Sequence, residues 1–125
     1  MSIHEFIDRQ AAKYAALRRD IHQHPEVGLE EVRTSDIVAN LLAGWGYTVT
    51  RGMAKTGVVG TLKAGSGAKV LGLRADMDAL PMQETTGRPW QSDTDGKFHG
   101  CGHDGHTATL LFAAEWLAKT RNFDG

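Results

Sequence analysis

Val70-Leu71-Gly72-Leu73-Arg74-Ala75-Asp76-Met77-Asp78 is the stretch on which the reading of the fold turns. Residues 70–73 are apolar or small, and charge then arrives abruptly at Arg74, Asp76 and Asp78. A short apolar run bounded in this way predicts a buried strand over residues 69–73. A buried strand that ends in acidic residues is the usual rim of a site in an α/β sheet.

Upstream of this stretch, residues 64–68 (Ala-Gly-Ser-Gly-Ala) read as a hairpin loop. That loop would join the strand to another over residues 58–63, and residues 47–51 form a third strand candidate. Gly57 and Gly60 flank Val58-Val59 and suggest a turn or a close backbone approach. Near the N-terminus, Ser2-Ile3-His4-Glu5 fits a capping box. Ile3, Phe6, Ile7, Tyr14, Leu17 and Ile21 then recur at near-helical spacing. Pro25 disfavours helical geometry at His24, so this helix should stop near Gln23. A second helix is expected from about Glu30, with Val32, Ile37, Val38, Leu41, Leu42 and Trp45 apolar, and Gly44 and Gly46 ending it. Downstream, residues 85–96 are polar and irregular. A last helix should begin near Asp104 and carry Leu110, Leu111, Phe112, Trp116 and Leu117. The order α-α-β-β-β-α predicts an α/β fold, a sheet with helices packed on it.

The chain has 125 residues, enough for one domain, with 41% hydrophobic and 23% charged residues. Its 14 Lys+Arg against 15 Asp+Glu give a net charge of −1. No basic stripe stands out, so nucleic-acid binding is not indicated. No apolar run approaches the ~20 residues that span a bilayer, so no membrane partner is expected. The single cysteine, Cys101, cannot form an internal disulfide, and the polar N-terminus lacks a signal-peptide core. The default localisation is cytoplasmic.

The densest chemistry lies in His99-Gly100-Cys101-Gly102-His103-Asp104-Gly105-His106. Thiolate and imidazole are favoured ligands for zinc and related divalent ions. On an extended segment Cys101 and His103 would project to one side, and the glycines would let both reach a metal. His106 is expected near the helix start, in a supporting place, and Asp104 in the first turn, where a carboxylate suits the helix dipole. The cluster matches no zinc-finger spacing, and two or three ligands do not close a site. A purely structural role stays open. Asp76 and Asp78 would share a face at the strand end. Such a pair can bind metal, orient a metal-bound histidine or act as acid and base; equally it can be a solvated strand end with Arg74 as ion-pair partner. His22 and His24, near a helix end, read first as groups that satisfy free carbonyls. Met77 and Met82 read as packing residues.

Four motifs occur in order: His22-Gln23-His24-Pro25-Glu26, Thr56-Gly57-Val58-Val59-Gly60, Arg74-Ala75-Asp76-Met77-Asp78-Ala79-Leu80-Pro81, and Cys101-Gly102-His103-Asp104-Gly105-His106. The series resembles the M20 metallopeptidase family, and within it the amidohydrolase branch of hippurate, auxin-conjugate and N-acetyl-diaminopimelate hydrolases. The resemblance runs from about Leu17 to the end of the chain. It implies the N-terminal portion of a zinc-peptidase-like catalytic domain that hydrolyses the amide of N-acyl amino acids with two divalent ions (zinc, manganese, nickel or cobalt). Cys101 then matches the ligand shared by the two metals, and His103 a ligand to one. Asp78 matches the acidic residue that orients the site, with Asp76 beside it. Most other branches carry a histidine ligand where Asp76 falls, and His103 would take over that duty. Gly100 stands where the branch usually has alanine, a departure expected to matter little. The family's general base, further ligands and lid domain would lie beyond residue 125. The chain alone is therefore expected to be inactive, as a fragment, one half of a split enzyme, or a metal- or partner-binding remnant. Apolar surface left uncovered in such a fragment, and an unpaired sheet edge, favour homo-oligomers.

Overall fold

The computed structural model describes all residues, 1–125. Ser2 opens the chain's first helix, α1 (Ile3–Gln23), through the expected capping box: its hydroxyl accepts from the Glu5 N–H, and the Glu5 carboxylate accepts from the Ser2 N–H at 2.7 Å. α2 (Val32–Gly44) has no side-chain cap of its own residue at Glu31. Glu26 supplies one from a distance. Its carboxylate accepts from Arg33 N at 2.8 Å, and from Thr34 N and Thr34 Oγ1 at 2.7 Å each. Two of the unpaired donors of the first turn are thereby satisfied. The His-Pro-Glu stretch is thus partly a device that starts the second helix.

β1 (Thr48–Met53) and β2 (Gly57–Thr61) form an antiparallel hairpin whose register shifts between Arg51 and Met53. A Cβ on Gly57 would lie 2.5 Å from Met53 O, and one on Gly60 would lie 3.0 Å from Leu42 of α2. Both glycines therefore mark close approach, as expected. α3 (His103–Thr120) is the last element.

The third strand is not formed. Residues 69–73 pair with nothing, and the sheet has two strands, β1 and β2. Val70 is 93% and Leu71 83% exposed. An apolar run becomes a buried strand only when neighbours take its backbone hydrogen bonds and cover its faces, and no segment of residues 1–125 does so. The expected hairpin loop at residues 64–68 instead meets the C-terminus. Ala64 and Gly125 exchange both backbone hydrogen bonds, and the Asp124 carboxylate accepts from Ser66 N and Gly67 N at 2.9 and 2.7 Å. The hairpin lies one step earlier, between β1 and β2.

α1 packs along α3, and α2 packs on the hairpin and against α3. Tyr14, Leu42, Leu111 and Ala114 form the centre, flanked by Leu17, Val38, Leu41, Trp45 and Phe112. The Tyr14 and Phe112 rings stack at 4.2 Å, and Phe6 sits between Phe112 and Trp116. Ile3 and Ile7 are exposed despite their helical spacing, as is Val32. No helix is long and apolar enough to cross a membrane.

One ionic centre crosses this core. Glu115 is buried, yet accepts from Lys13 and Lys119 at 2.7 Å each and from the Tyr14 hydroxyl. Burial pushes its carboxyl upward, but these donors outweigh it and hold it at about 2, against an ordinary 4.5. Burial and the Glu115 charge raise the Tyr14 phenol, which stays protonated and donates. A carboxylate held below its unfolded value stabilises the fold fully above that value and loses the contribution as pH falls through the folded one. Stability should therefore decline between about pH 4.5 and 2. Glu115→Gln should cost about 1–3 kcal/mol at neutral pH and flatten that decline. Urea midpoints across the acid range measure both, and an unchanged acid slope in the variant would remove Glu115 from this role.

Candidate metal centre

Three elements converge where α3 begins. Gly102 precedes the helix at φ +90°, a left-handed conformation that favours glycine. Residues 101–103 are therefore not the extended segment the spacing suggested. His103 enters the helix and turns inward, while Cys101 stays exposed. Gly100 is tightly placed: a Cβ there would meet the Phe98 ring at 3.0 Å and Met82 Sδ at 3.1 Å. An alanine at this position needs one of those side chains to yield by a few tenths of an ångström, so the departure from the resembling family is less neutral than expected.

Asp76 and Asp78 do converge on His103, although no sheet carries them. His103 Nδ1 lies 2.8 Å from Asp78 Oδ1 and 3.1 Å from the Asp78 main-chain oxygen. A carbonyl oxygen only accepts, so Nδ1 carries the hydrogen and Nε2 presents its lone pair. Nε2 faces Asp76 Oδ2 at 3.8 Å. The other Asp76 oxygen takes Arg74 at 2.5 Å, the ion pair expected of that arginine. Thr107 Oγ1 donates to the Asp76 main-chain oxygen at 2.9 Å and ties this segment to α3. One ligand atom each from Asp76, His103 and His106 lie within 4.8 Å of one another. Cys101 stands outside this trio.

A second, buried cluster lies behind the first. His22 Nδ1 is 2.8 Å from Asp104 Oδ2, and His22 Nε2 is 2.8 Å from Glu84 Oε1. Asp104 and Glu84 are each 2% exposed. Burial pushes the Glu84 carboxyl upward, but hydrogen bonds from Thr86, Ser92 and His22 outweigh it and hold it below the usual range. Arg18 adds a longer contact to Asp104 at 3.4 Å. His99 is 4% exposed, and neither ring nitrogen has a partner. Burial lowers its pKa, so the ring is neutral. A buried imidazole with both nitrogens unpaired is an orphaned polar group of the kind a bound cation satisfies. The donor set (imidazole nitrogen, carboxylate oxygen and a nearby thiol) suits zinc, cobalt or manganese.

Part of this site is not legible in the sequence. His22 reads there as a helix-end group, whereas the structure buries its ring between two carboxylates. Nothing local marks Glu84, whose partner His22 is 62 residues away. Asp104 is in the first turn as expected, but it faces His22 as well as the helix dipole. His106 was expected to support the site and stands among the possible ligands.

The buried cluster makes a strong claim on stability. Removing His22 leaves two buried carboxylates facing each other. His22→Ala should cost about 3–5 kcal/mol, as loss of one partner of a buried ionic pair does. Chemical denaturation of the variant measures it, and a cost near zero would mean that water enters the cluster.

Residues 72–125 match the family model described as peptidase family M20/M25/M40. The chain is 49% identical over 123 residues to hippurate hydrolase of Campylobacter jejuni, covering 98% of this chain and 32% of that one. It is 37% identical to N-acyl-L-amino acid amidohydrolase of Geobacillus stearothermophilus, covering 96% and 32%. Among solved structures it is similar to an aminohydrolase of methicillin-resistant Staphylococcus aureus, with a TM-score of 0.91, 37% identity and coverage of 97% and 32%. It is also similar to the Bacillus subtilis YXEP protein, a dinuclear metal-binding peptidase from the M20 family, with a TM-score of 0.86, 36% identity and coverage of 92% and 33%. The chain spans about a third of the length of these relatives. Motifs and architecture lead to one conclusion: residues 72–125 match the M20 peptidase family, and the chain as a whole is similar to about a third of the length of proteins of that kind.

Proposed function

We propose that this chain forms the part of a metal-dependent amidohydrolase that carries the start of its metal centre, and that the complete site cleaves the amide of N-acyl amino acids. The observation that carries the proposal is His103. Asp78 holds its Nδ1 hydrogen and thereby aims its Nε2 toward Asp76. A carboxylate behind a histidine in this way fixes the tautomer and strengthens the nitrogen as a ligand. The hippurate hydrolase and amidohydrolase relatives supply the substrate class.

In this reading His103 and Cys101 hold divalent ions, with Asp78 orienting His103 and Asp76 beside it. Bound ions would supply the acidity that activates water and stabilises the oxyanion. The chain's own residues arrange the donors, keep His103 in one tautomer and anchor the start of α3 through His22 and Asp104. Nothing among residues 1–125 is placed as a general base opposite these donors, so the 125-residue chain by itself should not turn over substrate.

A chimera tests this. The chain is joined to the remaining two-thirds of the Campylobacter jejuni hippurate hydrolase and assayed on hippurate with zinc or manganese. Turnover is expected, and it should fall by roughly 10–100-fold in Asp78→Asn, an orienting partner, and further in His103→Ala. A folded, metal-loaded chimera that hydrolyses no N-acyl amino acid would refute the proposal. So would turnover that survives loss of both His103 and Cys101.

A further inference from the structure

We infer that the open side of residues 69–73 is a slot for one β-strand, which enters at Gly125 and runs antiparallel to β2 and parallel to residues 69–73. Its occupant is the polypeptide that continues from Gly125 in the complete site. That such a continuation exists rests on the preceding reading; where it docks, and in which direction, does not.

Residues 69–73 lack a neighbour on every side. None of their main-chain N–H or C=O groups is hydrogen-bonded, and Val70 and Leu71 are both exposed. Successive side chains of an extended segment point to opposite faces, so both faces of the run are apolar and uncovered. Such a run fits the inside of a sheet better than its edge. β2 has a matching need, because β1 pairs with only one of its edges. Between the run and α3 lies a groove of about 460 Å³ whose lining includes Leu73, Thr109, Leu110 and Ala113. Apolar side chains from one face of an added strand would fill it.

The first step of the strand is already in place. Ala64 and Gly125 exchange both main-chain hydrogen bonds, at 3.0 and 2.8 Å, as a facing pair in an antiparallel ladder does. Ala64 lies three residues past the end of β2. Main-chain groups alternate sides along a strand, so Leu62 and Gly60 present theirs to the same open side as Ala64. On its other flank Gly125 lies against the start of the apolar run, where a Cβ would collide with Lys69 O. The Asp124 carboxylate fixes this entry by accepting from Ser66 N and Gly67 N. A Cβ on Gly65 or Gly67 would collide with that carboxylate, so the glycines make room for it. The directions follow from α3. β2 leads from Val58, packed on the core, toward Lys63, whose carbonyl takes Arg121 just past the helix end. Residues 69–76 lead back to Thr107 near the helix start. A strand antiparallel to β2 is therefore parallel to residues 69–73.

Residue-resolved amide hydrogen exchange tests this, on the 125-residue chain and on the folded chimera with the remaining two-thirds of the hippurate hydrolase. In the chain alone, residues 69–73 should exchange as open backbone. In the chimera they should slow by about a hundredfold or more, and the amides of Leu62 and Gly60 should slow with them. A substitution gives a second readout. Leu71→Asp should leave the urea midpoint of the 125-residue chain unchanged, because the side chain already faces solvent, and should lower that of the chimera. Fast exchange at residues 69–73 in the folded chimera would overturn the inference, whether or not two copies of the 125-residue chain associate through this run. So would protection of residues 69–73 without protection of Leu62 and Gly60, which would place the strand on the other edge. An equal effect of Leu71→Asp on both proteins would overturn it as well. None of these readouts needs turnover: a chimera that protects the run and hydrolyses nothing refutes only the proposed function, and one that hydrolyses hippurate with the run exposed refutes only the slot.

Discussion

The start of α3 is held in place by one imidazole between two buried carboxylates. His22 lies on the last turn of α1, Asp104 on the first turn of α3, and Glu84 in the irregular segment that connects the acidic stretch to the helix. The ring bridges all three at 2.8 Å on each side. Every residue that could meet a metal hangs from an element fixed by this bridge. His103 and His106 flank Asp104 on α3, and the Asp76–Asp78 segment is tied to the same helix turn by Thr107 and His103. A buried ionic group is expensive to leave unpaired, so the bridge fixes the Glu84 segment against the ends of α1 and α3, two helices that already pack along each other.

The apolar core does a different task along the middle of α3. Tyr14, Phe112, Leu111 and Leu42 lock α1, α2 and the hairpin around the middle of the helix. Glu115 sits in that core as a satisfied charge, with two lysines and a phenol as donors. The helix is thus anchored by packing along its length and by charge at its start. Rigid anchoring of that kind suits a site whose donors must stay within fractions of an ångström.

The uncovered stretch from Val70 to Leu73 belongs to the same account. It leads straight into Asp76 and Asp78, yet its backbone and its apolar side chains face solvent. The donors nearest α3 are held by hydrogen bonds to that helix, so they keep their places without a sheet. What a sheet would add is cover for the apolar run, not the position of the carboxylates.

Local signals in the sequence determined the helices and the two strands that form. The capping box at Ser2 and the proline after His24 each act within a few residues, so their effect is visible without a fold. That Asp76 and Asp78 form a pair was legible as a spacing and a residue type, and their relation to the site was implied only by the family resemblance. Three things were not legible. Whether residues 69–73 became a strand depended on partners for their hydrogen bonds, which no local pattern can supply. Whether Cys101 and His103 projected to one side depended on the left-handed turn at Gly102. That His22 was more than a helix-end group depended on Glu84 and Asp104, 62 and 82 residues away. Sequence decides a feature when its physical cause is local. Tertiary structure decides it when the cause is a buried charge or an unpaired backbone group whose partner lies elsewhere in the chain.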